Sequence, residues 1–176
     1  MRNSFVENLS QHSFEVALIV HALATISSKR LGRETDAKKL AVTALYHDAP
    51  EILTGDMPTP VKYHDQQIKT AYKQLEKQAS KRLLELLPDD LVSEYAKIFN
   101  PSLTEHEQLL LKAADKISAL IKCLEEGSIG NQEFSAAKKS QLESLRNMNC
   151  EAADIFIKEF LPGFGKTLDE QTVTID

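Results

Sequence analysis

The chain has 176 residues, of which 42% are hydrophobic and 27% charged, and its formal net charge is −5. This length and composition fit one globular domain with a sizeable core, and they exclude a disordered chain, a collagen and a disulfide scaffold. The acidic balance also argues against a nucleic-acid polymer as a partner, because such binding needs a basic surface.

The sequence shows no sign of export or of membrane insertion. Cys123 and Cys150 are isolated from each other, which is typical of reduced thiols. The first residues lack the apolar core and the cleavage site of a signal peptide. The most apolar stretch, residues 14–26, is shorter than the roughly 20 residues that cross a bilayer. We therefore expect a cytoplasmic protein that does not associate with membranes.

Three helices are predicted by apolar residues that recur every three or four positions. The stripes consist of Val16, Ile19, Val20 and Leu23, then of Ala37, Leu40, Ala41, Ala44 and Leu45, and finally of Leu110, Ala114, Ile117, Leu120, Ile121 and Leu124. Ser10 and Asp36 are the expected N-caps of the first two helices. Thr104, with Glu107 three residues later, matches a capping box ahead of the third.

The remaining segments also favour helices. Residues 54–60 hold the densest cluster of turn formers and predict an ordered loop, and residues 63–87 predict a long, charged helix. Residues 127–131 separate the third stripe from a helical region that should end near residues 162–163. Sustained two-residue alternation is missing, so strands should not dominate. We predict an all-α helical bundle that forms one domain over residues 1–176. Its core spans about 8–126, and a C-terminal helical addition spans about 130–165.

His47 and Asp48 follow the second stripe, at the point where its inward face ends. A buried aspartate is costly unless it is paired or bound to a metal. For the pair alone, a His–Asp hydrogen bond that closes a helix end is the favoured interpretation. His12 lies four residues before Val16 and extends the first stripe, although a lone histidine there is usually a core residue.

Asp115 lies inside the third stripe, where a surface role is hard to explain. Its alternative interpretation is a salt bridge to a lysine such as Lys112 or Lys116, or a cap on a neighbouring helix. Taken together, three separate helices each bring a ligand type towards the core, and the set contains two histidines and two aspartates. Such a set suits Mn²⁺, Co²⁺, Fe²⁺, Zn²⁺ or Mg²⁺. Four protein ligands on a six-coordinate ion leave two positions for water or substrate, as a catalytic metal requires.

Glu51 is the candidate catalytic carboxylate, three positions after Asp48. A carboxylate near an activated water can act as general base or pass a proton to the leaving group. Pro50 disfavours helical geometry at Ala49, so the helix should break there, and the proline can open a new turn that aims Glu51 independently. The alternative is a solvent-facing glutamate in the first turn of a helix.

The chain resembles the HD-domain superfamily of metal-dependent phosphohydrolases, and within it the bacterial HD-domain 5′-deoxynucleotidases. The order His12, His47-Asp48, Asp115 matches the family's H…HD…D signature. The similar segments are ENLSQHS at 7–13, YHDAPE at 46–51, LTGDMPTPVK at 53–62, KAAD at 112–115 and KCLEE at 122–126. The resemblance extends over nearly the whole chain, and the segment at 53–62 is its most specific part.

The resemblance implies hydrolysis of 2′-deoxyribonucleoside 5′-monophosphates to the deoxynucleoside and phosphate, usually by a homodimer with Mn²⁺ or Co²⁺. It assigns the metal to His12, His47, Asp48 and Asp115, and catalysis to Glu51. It also implies nucleotide contacts from His12, Asp48, Asp56, Met57, Pro58, Thr59 and Asp115. Among these, Asp56 is the expected acceptor for the sugar 3′-hydroxyl.

One family feature has no match in the chain. Relatives carry an Arg–Trp pair ahead of the first ligand helix, where the arginine orients the phosphate and the tryptophan packs near C2′. This sequence contains no tryptophan, and its first residues align with the middle of that segment. A second hypothesis is therefore an HD-fold nucleotide-binding or regulatory module with little turnover. A third is an HD enzyme for dinucleotides, triphosphates or guanosine tetraphosphate, which usually needs additional basic residues. The retained Glu51 and the complete ligand set favour the nucleotidase.

Overall fold

A computed structural model describes residues 3–4, 6–57, 65–166 and 170 of the chain, and within them the fold is all-helical, as predicted. The α-helices are α1 (Leu9–Arg30), α2 (Ala37–Tyr46), α3 (Glu51–Thr54), α4 (Gln66–Leu84), α5 (Asp89–Phe99), α6 (Glu105–Ser128), α7 (Ser135–Asn147) and α8 (Glu151–Glu159). Short 3₁₀ helices cover Gln132–Phe134 and Leu161–Gly165. None of the helices described is long and apolar enough to cross a bilayer.

Side-chain caps fix where the three predicted helices begin. Asp36 accepts from Lys39 N, and Thr104 forms a capping box with Glu107, so both predicted starts are confirmed. The predicted start at Ser10 is wrong. Asn8 is the N-cap of α1, because its backbone is extended and its side chain exchanges hydrogen bonds with Gln11. This earlier start places His12 within the first turn of α1.

The core lies where α1 packs against α2 and α6, with α8 closing one side. Val16, Val20 and Leu23 from α1 are fully buried, as are Ile117 and Ile121 from α6. Burial of each such side chain stabilises the fold by about 1.5–3 kcal/mol. These two helices are therefore held in a fixed register, and any side chains they direct to one end of the bundle stay together.

The second predicted stripe is confirmed only in part. Leu40 and Ala44 are fully buried, whereas Leu45 is 45% exposed. Leu45 follows Ala44 directly, which rotates it about 100° around the helix and away from the α1 contact. Leu124, at the end of the third stripe, is half-buried, although Cys123 and Glu126 near it on α6 are buried.

The segments after α2 also differ in detail from the prediction. The long charged helix predicted over 63–87 occupies Gln66–Leu84, with Asp65 as its N-cap. The predicted loop over 54–60 is described only as far as residue 57. Helix α5 was not predicted, and it buries none of its residues fully. Two 3₁₀ residues, Pro162 and Gly163, lie where the C-terminal helical region was expected to end.

Candidate active site

Three elements bring the predicted metal ligands to one end of the bundle. His12 is in the first turn of α1, His47 is the C-cap residue of α2 with Asp48 next to it, and Asp115 is midway along α6. Because α1 packs against both α2 and α6, these positions meet on one side of the α1 N-terminus. The sequence spacing of 35 residues between the two histidines thus becomes a direct contact between two adjacent helices.

The four side chains lie within a few ångströms of one another. His12 Nε2 is 3.4 Å from Asp48 Oδ2 and 3.3 Å from Asp115 Oδ1. His47 Nε2 is 3.1 Å from Asp48 Oδ2, and the two imidazole centroids are 5.5 Å apart. One ligand atom from each of His12, His47 and Asp115 fits within a 4.8 Å span. Such spacing suits one small cation, at which imidazole and carboxylate ligands would converge.

His47 is held in the tautomer that a metal ligand needs. Its Nδ1 lies 2.6 Å from the carbonyl oxygen of Ala44, so Nδ1 must carry a proton and donate it. In the neutral ring the lone pair is then on Nε2. That atom is buried and makes no hydrogen bond within the part of the chain described, despite its proximity to Asp48. A buried nitrogen lone pair without a donor is what a bound cation would satisfy, so the residues fit a metal.

The charges of the cluster reinforce one another. Contacts with Asp115 and Asp48 raise the pKa of His12 to about 10, against the opposing effect of burial. Burial lowers the pKa of His47, but the nearby carboxylate of Asp48 and the carbonyl of Ala44 outweigh it and the net shift is upward. Burial would raise the pKa of Asp48, yet the two imidazoles hold it far below its ordinary value. Asp48 is therefore ionised at neutral pH, and protons and cations compete for the same site.

Asp115 lies closer to solvent than the sequence suggested. Its side chain is 52% exposed, because Asp115 faces the pocket, whereas its neighbour Ala114 faces the core. The proposed alternative partners, Lys112 and Lys116, do not pair with it. Among the residues described, its ion pair is with His12.

The cluster forms the floor of a pocket of about 830 Å³. That volume is within the range of small-molecule sites, which is roughly 300–1,000 Å³. Its other walls come from α3 with the loop after it, from α6, and from the segment before α1. The side chains that line these walls include Glu51, Asp56, Met57, Lys112, Lys116, Ser118 and Lys122.

Glu51 lines this pocket as the first residue of α3. The break predicted at Ala49 is confirmed, since α2 ends at Tyr46 and Pro50 is the N-cap of α3. The new turn aims Glu51 independently of α2, as predicted. The carboxylate is half-buried and faces the same space as His47 and Asp48.

The loop predicted to hold the sugar begins in the same pocket. Asp56 and Met57 line it, with Asp56 exposed and Met57 half-buried. Gly55 precedes them at φ +69°, a conformation that favours glycine, and its carbonyl accepts a 2.8 Å hydrogen bond from Tyr72 Oη. Pro58 and Thr59, the other two predicted loop contacts, and Lys62 lie outside the described residues.

Sequence reasoning missed several polar residues of the pocket. Lys122 lines it and donates to Glu7 Oε2 at 2.6 Å. Ser118 lies behind His12 and donates to Glu15. The sequence spacing could have identified both Ser118 and Glu15. Ser118 follows Asp115 by three positions and Glu15 follows His12 by three, so each shares a helix face with a predicted ligand.

Comparisons with known proteins agree with this geometry. A family model described as 5′-deoxynucleotidase YfbR-like matches residues 1–164. A 5′-deoxynucleotidase of Photorhabdus laumondii is 44% identical over 99% of this chain and 89% of its own length. One from Klebsiella pneumoniae is 44% identical over 97% of this chain and 86% of its own.

Solved structures share the fold. A Listeria innocua protein described as an HD-domain phosphohydrolase superposes with a TM-score of 0.79, with 23% identity, over 97% of this chain and 83% of its own. A conserved hypothetical protein from Pyrococcus furiosus superposes with a TM-score of 0.65 and 26% identity, over 92% of this chain and 84% of its own. By the family model and the extent of its similarity to named relatives, the chain belongs to the YfbR-like 5′-deoxynucleotidase family.

Proposed function

We propose that the chain hydrolyses 2′-deoxyribonucleoside 5′-monophosphates to the deoxynucleoside and inorganic phosphate, using the pocket around His12 and His47. The observation that carries this proposal is the convergence of two histidines, two aspartates and Glu51 on one pocket. The activity named for relatives that are 44% identical over nearly the whole chain supports the choice of substrate.

We assign one divalent cation, Mn²⁺ or Co²⁺ by preference, to His12, His47, Asp48 and Asp115. The donor set supports this, because neutral imidazole and carboxylate together suit such ions, and the free lone pair of His47 Nε2 needs a positive partner. When bound, the ion supplies Lewis-acid chemistry: it neutralises phosphate charge and lowers the pKa of a coordinated water.

Glu51 acts as the general base in this proposal. Its carboxylate takes a proton at one oxygen from the water that attacks phosphorus, and the ester bond to the 5′-oxygen breaks as the new P–O bond forms. Glu51 then passes this proton to the departing oxygen, which leaves as the sugar 5′-hydroxyl, and the carboxylate returns to its ionised form. The position of Glu51 at the start of its own helical turn supports this role, since the carboxylate is aimed into the pocket without being part of the ligand cluster.

The remaining residues orient the nucleotide. Asp56 accepts a hydrogen bond from the sugar 3′-hydroxyl, while Met57 forms part of the wall beside the sugar and base. Lys112 and Lys116 add positive charge on the α6 side of the pocket, where the phosphate approaches. Such positioning and charge neutralisation carry most of the rate enhancement in phosphoryl transfer.

We also propose that the protein is a homodimer, which sedimentation of the purified chain would test.

The test of this function is phosphate release from dAMP and AMP, measured side by side with Mn²⁺ and again after EDTA treatment. We expect release that requires the metal and that favours dAMP. Equal release from both nucleotides would support the hydrolase but not its selectivity for the deoxy sugar. No release from either, with Mn²⁺ bound, would contradict the proposal and favour the binding or regulatory module.

A matched pair of histidine variants connects the activity to the pocket. His47→Ala removes a proposed ligand and should abolish both Mn²⁺ binding and hydrolysis. His106→Ala removes a histidine elsewhere, on α6, whose Nε2 lies 2.7 Å from Ser27 Oγ. It should leave both properties near those of the parent. Retained hydrolysis in His47→Ala would place the activity outside this pocket.

A further inference from the structure

Behind His12, away from the proposed cation, two polar side chains form a connected pair. Ser118 on α6 is 1% exposed, and its Oγ lies 3.3 Å from His12 Nδ1. The same hydroxyl donates a short hydrogen bond to Oε2 of Glu15, which is half-buried on α1. The three residues thus form a continuous chain, from imidazole to hydroxyl to carboxylate, that connects α1 to α6.

The direction of these hydrogen bonds follows from which of the three side chains carry a proton to donate. A serine hydroxyl has one proton and an ionised carboxylate has none, so Ser118 donates to Glu15. Ser118 can then only accept from His12, and Nδ1 of His12 must carry the proton. The lone pair of the neutral ring is therefore on Nε2, the atom that lies 3.3 Å from Asp115 and 3.4 Å from Asp48.

The two histidines reach the same tautomer through different acceptors. His47 Nδ1 donates to a backbone carbonyl, that of Ala44, which no substitution can remove. His12 Nδ1 depends on side chains alone. Acceptors behind a ligating imidazole fix its tautomer and its ring orientation and increase its basicity.

We infer that Ser118 and Glu15 are positioning residues that orient His12 towards the metal and increase its affinity for it. This inference rests on the metal site proposed above, but not on the identity of the substrate. The competing explanation is a structural tie between α1 and α6, which would affect folding stability and leave metal affinity unchanged.

The experiment measures Mn²⁺ dissociation constants by calorimetry for the full chain and for three variants: Ser118→Ala, Glu15→Ala and the double variant. We expect Ser118→Ala to weaken binding by about 10-fold or more, which is typical for the loss of such a partner. Glu15→Ala should weaken it by a smaller factor. Because Glu15 acts through Ser118, the double variant should bind about as weakly as Ser118→Ala alone.

Two control variants match the chemistry of these changes. Ser80→Ala removes a buried hydroxyl that donates to Glu76 O on α4, away from the site. Glu125→Ala removes a negative charge from the small cleft that Glu15 also lines, without touching Ser118. Both should bind Mn²⁺ within about twofold of the parent, and thermal unfolding of every variant separates lost stability from lost affinity.

The outcomes are decisive in both directions. Mn²⁺ affinity in Ser118→Ala within about twofold of the parent would overturn the inference, as would losses in the double variant that multiply as if independent. If Ser118→Ala does not fold, the comparison of Glu15→Ala with Glu125→Ala tests the inference instead. Weaker Mn²⁺ binding in Glu15→Ala alone supports the positioning role, and equal Mn²⁺ affinities in the two variants overturn it. If the parent chain binds no Mn²⁺, the proposed metal site is wrong, and the positioning role of Ser118 and Glu15 is wrong with it.

Discussion

Glu51 is separated from the nearest proposed metal ligands in the sequence by the break between helices α2 and α3. Tyr46 ends α2, and Pro50 caps a short new helix that Glu51 begins. The backbone N–H of Glu51 donates to Asp48 O at 2.9 Å, which limits the distance between the proposed ligand Asp48 and the proposed catalytic carboxylate of Glu51. A side chain placed in this way can act on a proton without being needed to hold the cation.

Glu51→Gln should therefore separate catalysis from metal binding. The amide keeps the size of the side chain but cannot take a proton, so hydrolysis of dAMP should fall by about 10²-fold or more. Mn²⁺ affinity should stay within a few-fold of the parent. The measurement is kcat for dAMP together with calorimetric Mn²⁺ binding on the same samples.

The control for this change is Glu94→Gln, an exposed glutamate of α5 that pairs with Lys97 outside the pocket. Glu94→Gln should alter neither kcat for dAMP nor Mn²⁺ affinity. A Glu51→Gln chain with the parental kcat would refute the assigned role. A chain that had lost its metal would instead make Glu51 part of the ligand set.

At the scale of elements, helix α4 holds the beginning of the loop that we propose contacts the sugar. Tyr72 is 4% exposed, and its hydroxyl donates to Gly55 O, one residue before Asp56. Gly55 is in the left-handed region, where glycine is the favoured residue. The Tyr72 bond therefore determines where Asp56 and Met57 enter the pocket.

Tyr72→Phe should weaken substrate binding more than catalysis. Removal of one such hydrogen bond costs about 0.5–1.5 kcal/mol, so KM for dAMP should rise roughly 2- to 10-fold. The value of kcat should change little, because no reacting group is moved. Tyr95→Phe, in an aromatic pair with Tyr46, is the control. A fall in kcat with unchanged KM would show that α4 acts on the chemistry and not on the loop.

The start of α6 should lose stability in acid. Burial raises the pKa of Glu107, but the backbone N–H of Thr104 and the ammonium of Lys39 outweigh it, and the net shift is downward from 4.5. A lowered pKa in the folded state stabilises the protein above pH 4.5, and this contribution disappears as the pH falls through the folded-state value.

Glu107→Gln should therefore lower the free energy of unfolding at pH 7 by about 1–3 kcal/mol. The difference between parent and variant should shrink below about pH 4.5, where the parental carboxylate takes up a proton. Urea unfolding of the parent and the variant at pH 7, 5 and 3.5 measures this difference in the free energy of unfolding. Glu105→Gln, exposed in the same helical turn, is the control. A difference that stayed constant across these pH values would mean that Glu107 acts through packing and not through its charge.

At the scale of the whole molecule, helices were predictable wherever one face is fully buried. The stripes of α1 and α6 are confirmed almost residue by residue, because burial against a common core imposes strict spacing. Helix α5 was missed because its apolar residues are only partly covered; Tyr95 and Phe99 pack on Tyr46 at its edge. A stripe without full burial leaves a weak signal in the sequence.

The composition of the site was more predictable than its geometry. The placement of two histidines and two aspartates at the ends or inner faces of three helices was sufficient to predict that they converge, and the structure brings them together. The half-exposed position of Asp115 and the contact from Ser118 to His12 were not predicted. Both depend on how α1 and α6 are rotated against each other, which spacing along one helix does not determine.

The most direct test of the link between this cluster and nucleotide hydrolysis is one titration of the EDTA-stripped chain with Mn²⁺. Bound metal and phosphate release from dAMP are measured at each step. We expect no release from the stripped chain, then release that rises in proportion to bound Mn²⁺ and saturates at one ion per chain. Hydrolysis by the stripped chain, or full Mn²⁺ occupancy without hydrolysis, would contradict it.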